Sequence, residues 1–201
     1  ASNLVLIALL TSVALTLIYG VLHIINFAHG AALMLALYAV YLLRTQLGWD
    51  PYLALPLVVA GMFALGYALQ RLIINRASHG KDENILLVTL GLAIVMENLA
   101  LLAFSADTRS IDTAYTLETV PIGPAMISLP KLIAFAGALA VAAVLLWIVR
   151  RTDLGRAIRA VAKEKQGAKL MGIDVEHVGA MRLGIGLAWL GAAVCFLLPA
   201  Y

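Results

Sequence analysis

His23-Ile24-Ile25-Asn26-Phe27-Ala28-His29-Gly30 sets two imidazoles and a carboxamide inside what is otherwise one apolar run from Leu4 to Leu43. Further on, Glu97 and Asn98 stand side by side within a second apolar run, Ile85 to Phe104. Such groups are costly at bilayer depth unless they face protein or a water-filled cavity. Three chemistries fit these residue types. Asn26, Phe27 and His29 can shape a solute pathway from a broken helix, with Glu97 and Asn98 opposite or bracing it. His29 and Glu97 can relay protons in an ion-coupled carrier or channel. An intramembrane enzyme, with or without a metal, is the third, but His23, His29, His79 and His177 form no close ligand spacing such as H-E-x-x-H. The plainer readings are an ordinary loop at His23–Gly30 and a structural interhelical hydrogen bond at Glu97.

The elements that must position these residues are membrane spans. Hydrophobic residues make up 63% of the 201 and charged residues 12%, against roughly 25% charged in soluble domains. About six hydrophobic segments succeed one another: Leu4–Leu22, Ala31–Leu47, Tyr52–Ile74, Ile85–Phe104, Leu132–Val149 and Val178–Leu198. A span needs about 20 apolar residues. The fold class expected is therefore all-α, a polytopic membrane helical bundle with a broken helix near the N-terminus. Ser12, Thr16 and Tyr19 share one face of the first segment, and core-packing hydroxyls are the simplest role for Ser12 and Thr16. Small residues recur every four positions at Ala60, Ala64 and Ala68, at Ala134, Ala138 and Ala142, and at Ala180, Gly184, Ala188 and Ala192. Such stripes let helices approach closely, and the last is the clearest packing face in the chain. In the fourth segment, spacings of four stack Thr89 and Ala93 on the Glu97 face. Cys195 is the single cysteine and lies in an apolar segment, so it reads as a small packed hydrophobe. The first residues lack both a Met and a basic signal-type region, so Ala1 is expected to be a processed or truncated end.

Charge sets the expected sidedness. Arg71 lies near the end of the third segment and Arg76, His79 and Lys81 follow it, and half of all Lys and Arg lie between Arg150 and His177. By the positive-inside rule both stretches are cytoplasmic, and the Lys- and Arg-poor loop Asp107–Pro130, a turn-rich cap rather than a domain, is outside. Trp49 and Tyr52 mark an outer interface, with Pro51 suited to a helix start. The net charge of +3 thus reflects membrane topology and not nucleic-acid affinity. Within 150–177, Asp153 is the expected N-cap of a short amphipathic helix carrying Leu154, Ile158 and Val161. Gly167 and Gly172 offer stopping points, and Asp174 can cap a second short helix running into the sixth segment. The pair can lie on the membrane surface or dock in a partner's groove.

Leu17-Ile18-Tyr19-Gly20 and then Ile25-Asn26-Phe27-Ala28-His29-Gly30 resemble the first-motif region of branched-chain amino-acid ABC-transporter permeases. Leu154-Gly155-Arg156-Ala157-Ile158-Arg159-Ala160, continuing to Ala168-Lys169-Leu170-Met171-Gly172-Ile173-Asp174, is similar to that family's loop contacting the ATPase. Thr89-Leu90-Gly91-Leu92 and Glu97-Asn98-Leu99-Ala100-Leu101 match its style in a middle span. The resemblance runs from about Leu4 to Leu198. It implies a single transmembrane permease domain over 1–201, comparable to the N-terminal two-thirds of a family member, with a cytoplasmic coupling segment at 150–177. It implies a substrate pathway at Asn26, Phe27, His29, Thr89, Glu97 and Asn98, and ATPase coupling through Leu154, Gly155, Ile158, Ala168, Leu170 and Gly172. The implied partners are a second, related permease subunit, two ATPase subunits and a periplasmic binding protein, around membrane lipid and without nucleic acid. The implied place is the bacterial inner membrane. No cofactor is expected on this chain: it lacks a P-loop G-x-x-x-x-G-K-[ST], so ATP acts through the partners. Leucine, isoleucine and valine are the favoured solutes, with urea, short amides and other amino acids as alternatives.

Overall fold

A computed structural model of the chain describes residues 27–78, 82–104, 119–122 and 125–198. Asn26, the segment Leu4–Leu22 and its hydroxyl face lie outside the described residues. Helix α1 is Ala28–Leu47, and α2 runs over Pro51–Ser78. Within α2, residues Leu69–Ile74 are π-helical. Helix α3 is Asp82–Phe104. A two-stranded antiparallel ribbon comes next, β1 (Thr119–Ile122) pairing with β2 (Ala125–Ser128), with Thr119 opposite Ser128 and Ile122 opposite Ala125. Helix α4 is Leu129–Arg151, α5 is Asp153–Lys163, α6 is Lys165–Leu170 and α7 is Val175–Leu197. Five of these helices (α1, α2, α3, α4 and α7) are long and apolar enough to cross a membrane, and the all-α bundle expected from the sequence is the fold observed.

Local chemistry explains most boundaries. Gly48 ends α1 at φ +67°, its N–H bonding to the Arg44 carbonyl at 3.0 Å while Trp49 N bonds to the Leu43 carbonyl at 3.3 Å. Glycine reaches this left-handed conformation without the Cβ clash other residues meet. Asp50 then caps α2 by accepting from Tyr52 N at 3.0 Å, and Pro51 fills the first position. Pro130 is accommodated in the first turn of α4, where its missing N–H has no intrahelical partner to lose.

The bundle is organised on α7, the most buried of the five long helices. Its small-residue face Ala180, Gly184, Ala188 and Ala192 is buried as the spacing predicts. Helix α2 runs antiparallel to it, and at their crossing the backbones touch. A Cβ on Gly66 would sit 2.8 Å from the Leu183 carbonyl oxygen and 2.9 Å from Gly184 Cα. Toward the far end, a Cβ on Gly191 would meet Met62 and Val58 side chains at 3.0–3.1 Å, and the Tyr52 and Phe196 rings are 5.9 Å apart. Phe196 also covers Gly137 of α4. The α2 face that carries this packing is Ala54, Val58, Met62 and Gly66. The stripe read from the sequence takes a different direction: Ala60 and Ala64 are exposed. Both rows repeat every four residues, so spacing alone does not rank them.

Helix α1 lays Ala28, Ala31, Ala32, Ala36 and Val40 into the core beside Ala93 and Met96 of α3 and Leu187, Leu190 and Val194 of α7. It runs parallel to α3. Ala28 and Ala32 share a cleft with Leu92 and Met96, and further along the Tyr38 and Phe104 rings stack at 4.1 Å. One end of the bundle, the basic end, gathers the last turn of α2, the start of α3, the end of α4, all of α5 and α6, and the start of α7.

Candidate functional site

Helix α1 does not start at the basic end. Ala28 and Ala32 line an apolar cleft with Leu69 and Ile74 of α2, Leu92 and Met96 of α3, and Leu183 and Leu187 of α7. Leu183 is already about 12 Å along α7 and Leu92 about 15 Å along α3, at 1.5 Å per residue. In a hydrocarbon core about 30 Å thick, α1 therefore begins near mid-depth. Its first turn includes His29 and Gly30, so these two residues of the sequence-predicted break are helical. Phe27 caps the helix without a side-chain hydrogen bond and is 51% exposed; His29 is half-buried.

The α3 residues divide between two faces. Thr89 is 1% exposed, its hydroxyl donating to the Leu86 carbonyl at 3.0 Å, and Ala93, Met96 and Ala100 continue that buried row. Glu97 does not belong to it. Eight residues at 100° each place Glu97 about 80° from Thr89, while seven place Met96 within about 20°. Glu97 and Asn98 are both exposed, and the Asn98 amide donates back to the Ile94 carbonyl at 2.7 Å. The stacking of Thr89 and Ala93 on the Glu97 face is thus corrected: Met96 takes the inward position. No hydrogen bond or ion pair joins His29 to Glu97 among the described residues, and no cluster of metal-binding side chains occurs among them. A carboxylate on an outer helix face at this depth requires a protein neighbour or an aqueous path.

At the basic end, the N-cap of α5 is Thr152 and not Asp153. The Thr152 hydroxyl accepts from Gly155 N at 3.1 Å and donates to the Ile148 carbonyl at 2.6 Å, so it bridges the end of α4 and the start of α5. Asp153 becomes the first helical residue and pairs with Arg156. Arg159 reaches back to the Val149 carbonyl. Thr152→Ala is expected to cost about 1 kcal/mol of local stability, read as roughly fivefold faster amide exchange at Gly155.

Gly155, Ile158 and Ala168 are buried. A Cβ on Gly155 would lie 2.3 Å from the Val149 carbonyl oxygen and 2.5 Å from that of Ile148. Leu154 is half-buried. Glu164, in extended backbone, separates α5 from α6, while Gly167 lies within α6 and does not stop it. The stop is Gly172, at φ +81°. Leu170 and Met171 project there at 88% and 83% exposure, and Gly172 is exposed beside them. Asp174 then caps α7, accepting from Glu176 N at 3.1 Å and His177 N at 3.0 Å. Sequence reasoning included Met171 in the motif likened to an ATPase-contacting loop but did not single it out, although an apolar Leu-Met pair ahead of a helix-ending glycine was its available signal. It also missed Met96, Leu69 and Ile74.

Five long apolar helices and a compact basic helix pair at one end define a multi-pass membrane helical bundle. Residues 2–200 match the family described as branched-chain amino acid transport system / permease component, and the chain belongs to that family. It is 26% identical over 200 residues to the high-affinity branched-chain amino acid transport system permease protein BraD of Pseudomonas aeruginosa, covering 94% of this chain and 65% of that protein. The corresponding LivH proteins of Escherichia coli K12 and Salmonella typhimurium are each 25% identical, over 92% of this chain and 64% of theirs. The chain thus spans just under two-thirds of the length of these relatives. No solved structure gives a significant match.

Proposed function

We propose that this chain is the membrane-spanning subunit of a binding-protein-dependent importer in a bacterial inner membrane. It carries branched-chain or related amino acids and is moved by ATP hydrolysis in partner subunits. The observation that carries the reading is the two-faced segment α5–α6. Its inward side is seated on α4 and α7 through Gly155, Ile158 and Ala168, while Leu170 and Met171 stand out into solvent. A rigidly seated segment with an apolar tip suits the transmission of a partner's motion, and Leu154 and Gly172 shape its two ends. Residues 1–201 act in this reading as one transmembrane unit with a coupling segment at 150–177, beside a related permease subunit, two ATPase subunits and a periplasmic binding protein. The chain binds no cofactor of its own.

The pathway residues are Asn26, Phe27, His29, Thr89, Glu97 and Asn98. The first turn of α1 supports this, because Ala28 lines the apolar cleft and a polar side chain such as His29 at bilayer depth is tolerated where it faces protein or a water-filled cavity. Phe27 and His29 stand at that start, Thr89 braces α3 from inside, and Glu97 and Asn98 offer polar groups to a protein neighbour or the solute path.

The test is Leu170→Asp combined with Met171→Asp in the complex assembled with its ATPase and binding-protein partners. Burying a Leu or Met side chain stabilises by about 1.5–3 kcal/mol. The double variant is therefore expected to weaken ATPase association by at least ~100-fold and to abolish leucine uptake while inserting normally. Normal association and uptake would reject the coupling assignment.

A further inference from the structure

The π-helical turn Leu69–Ile74 is the least ordinary backbone among the described residues, and its two end residues both line the cleft. π-helical turns are rare and concentrate at functional positions. Two bonds hold this one in register. Asn75 N donates to the Gln70 carbonyl, five residues back, and the Gln70 amide donates to Asn75 Oδ1 at 2.8 Å. Residues five apart lie about 140° apart around an ordinary α-helix, so the side-chain bond reports the π register. The register also leaves a buried donor, Asn75 Nδ2, without a partner. A buried donor left this way favours any alternative register that satisfies it.

The turn is fixed above and tethered below. Above, Gly66 is pressed against Gly184. Below, the Asn84 amide bonds to the Ser78 carbonyl at 3.2 Å, tying the end of α2 to the start of α3. From the side, Arg71 donates to the Tyr67 hydroxyl at 2.8 Å, and that hydroxyl lies 3.2 Å from His177 Nδ1, where it donates when the nitrogen is unprotonated. His177 stands in the first turn of α7, three residues after the cap Asp174 that closes the α5–α6 segment. One phenol therefore touches both the π-helical turn and the segment's exit.

We propose that Leu69–Ile74 is a two-register joint that widens and narrows the cleft, and that Tyr67 is the positioning residue through which α7 sets its register. Conversion to α-helical bonding absorbs the extra residue and turns the helix beyond it by about 100°, which carries Ile74 out of the cleft wall. The proposal goes beyond the reading of the first turn of α1 as part of a solute pathway. Ala28 of that turn lines the cleft, so the proposal rests on that reading for its role in transport but not for the movement itself.

The test measures the movement directly. In a Cys195→Ala background, Ala32→Cys reports on the cleft and Ala54→Cys on buried packing elsewhere in α2; both parent residues are almost fully buried. Labelling by a small water-soluble maleimide is monitored in membranes. Tyr67→Phe and His177→Ala are expected to raise labelling at Ala32→Cys at least tenfold and leave Ala54→Cys unchanged. His177→Gln, whose amide oxygen accepts from the phenol, restores protection. Deleting the exposed Leu72 removes the extra residue and gives the high rate whether or not Tyr67 is changed. Unchanged labelling at Ala32→Cys, or an equal rise at Ala54→Cys, overturns the joint. If labelling responds as expected while the assembled wild-type complex imports no amino acid, the joint stands and the transport reading fails.

Discussion

Gly66→Ala and Gly184→Ala are each expected to break the bundle apart at its centre. The added methyl on Gly66 meets main-chain atoms of α7 at 2.8–2.9 Å, and that on Gly184 meets the Phe63 ring and carbonyl oxygen at 3.1 Å. A side chain in the way can change rotamer; a carbonyl in the middle of a helix cannot leave without moving the helix. Overpacking of this kind costs about 1–3 kcal/mol, and the Gly66 contact belongs at the upper end because it is backbone on backbone. Two helices forced apart also lose contacts along their whole length, including Met62 and Val58 against Gly191 and Tyr52 against Phe196. The measurement is thermal stability in detergent, with the monodisperse fraction on gel filtration as a second readout. Gly61→Ala is the control: it lies on the outer face of the same helix with nothing within 4 Å of the added methyl. It should be neutral or slightly stabilising through helix propensity. Equal losses in all three variants would show that the crossing is not special.

Gly155→Ala has the second large effect, and it separates folding from transport. Its methyl is directed into the Val149 and Ile148 carbonyls, which already accept from Arg159 and the Thr152 hydroxyl. The start of α5 must lift away from α4, and Ile158, one turn on, loses its burial. Helices α1, α2 and α7 do not depend on this contact, so insertion and bundle stability are expected to stay near normal. On the proposed function, ATP-driven uptake by the assembled complex should fall at least tenfold while the ATPase subunits continue to hydrolyse ATP. Uptake at the normal rate would mean that the seat of α5 on α4 plays no part in transmission.

The spans and the packing of α7 are legible in the sequence because their signals are long and redundant. Twenty apolar residues identify a membrane helix whatever their order, and four small residues at strict intervals leave only one close-packing face. Direction around a helix is harder to read. Glu97 seems to share a face with Thr89 because eight residues look like two turns, yet at 3.6 residues per turn the error reaches almost a quarter of the circumference. The Ala60–Ala68 row misleads for a related reason: α2 carries two rows of equal spacing, and only the position of Gly184 on α7 selects Gly66. Thr152 and Asp153 are both good caps, and contact with Ile148 decides between them. The π-helical turn leaves no mark in the sequence, since Leu-Gln-Arg-Leu-Ile-Ile carries no register signal. The contacts around it, Gln70 with Asn75 and Tyr67 with His177, join residues that only the fold brings together. The candidate site is legible as a set of residues, and less so as an arrangement.

The contact between Gly66 and Gly184 also sets a mechanical ratio. Because neither glycine has a side chain to compress, the two helices meet there backbone on backbone. Val175 lies about 14 Å from Gly184 on the side of the basic segment, and Phe196 about 18 Å away on the other. A tilt of α7 that moved its start by about 3 Å would move Phe196 by about 4 Å in the opposite sense, by the ratio of those two arms, where that ring covers Gly137 and lies 5.9 Å from Tyr52. The arm on the side of the basic segment is the shorter, so any tilt of α7 about this contact is larger where Phe196 meets α4 and α2.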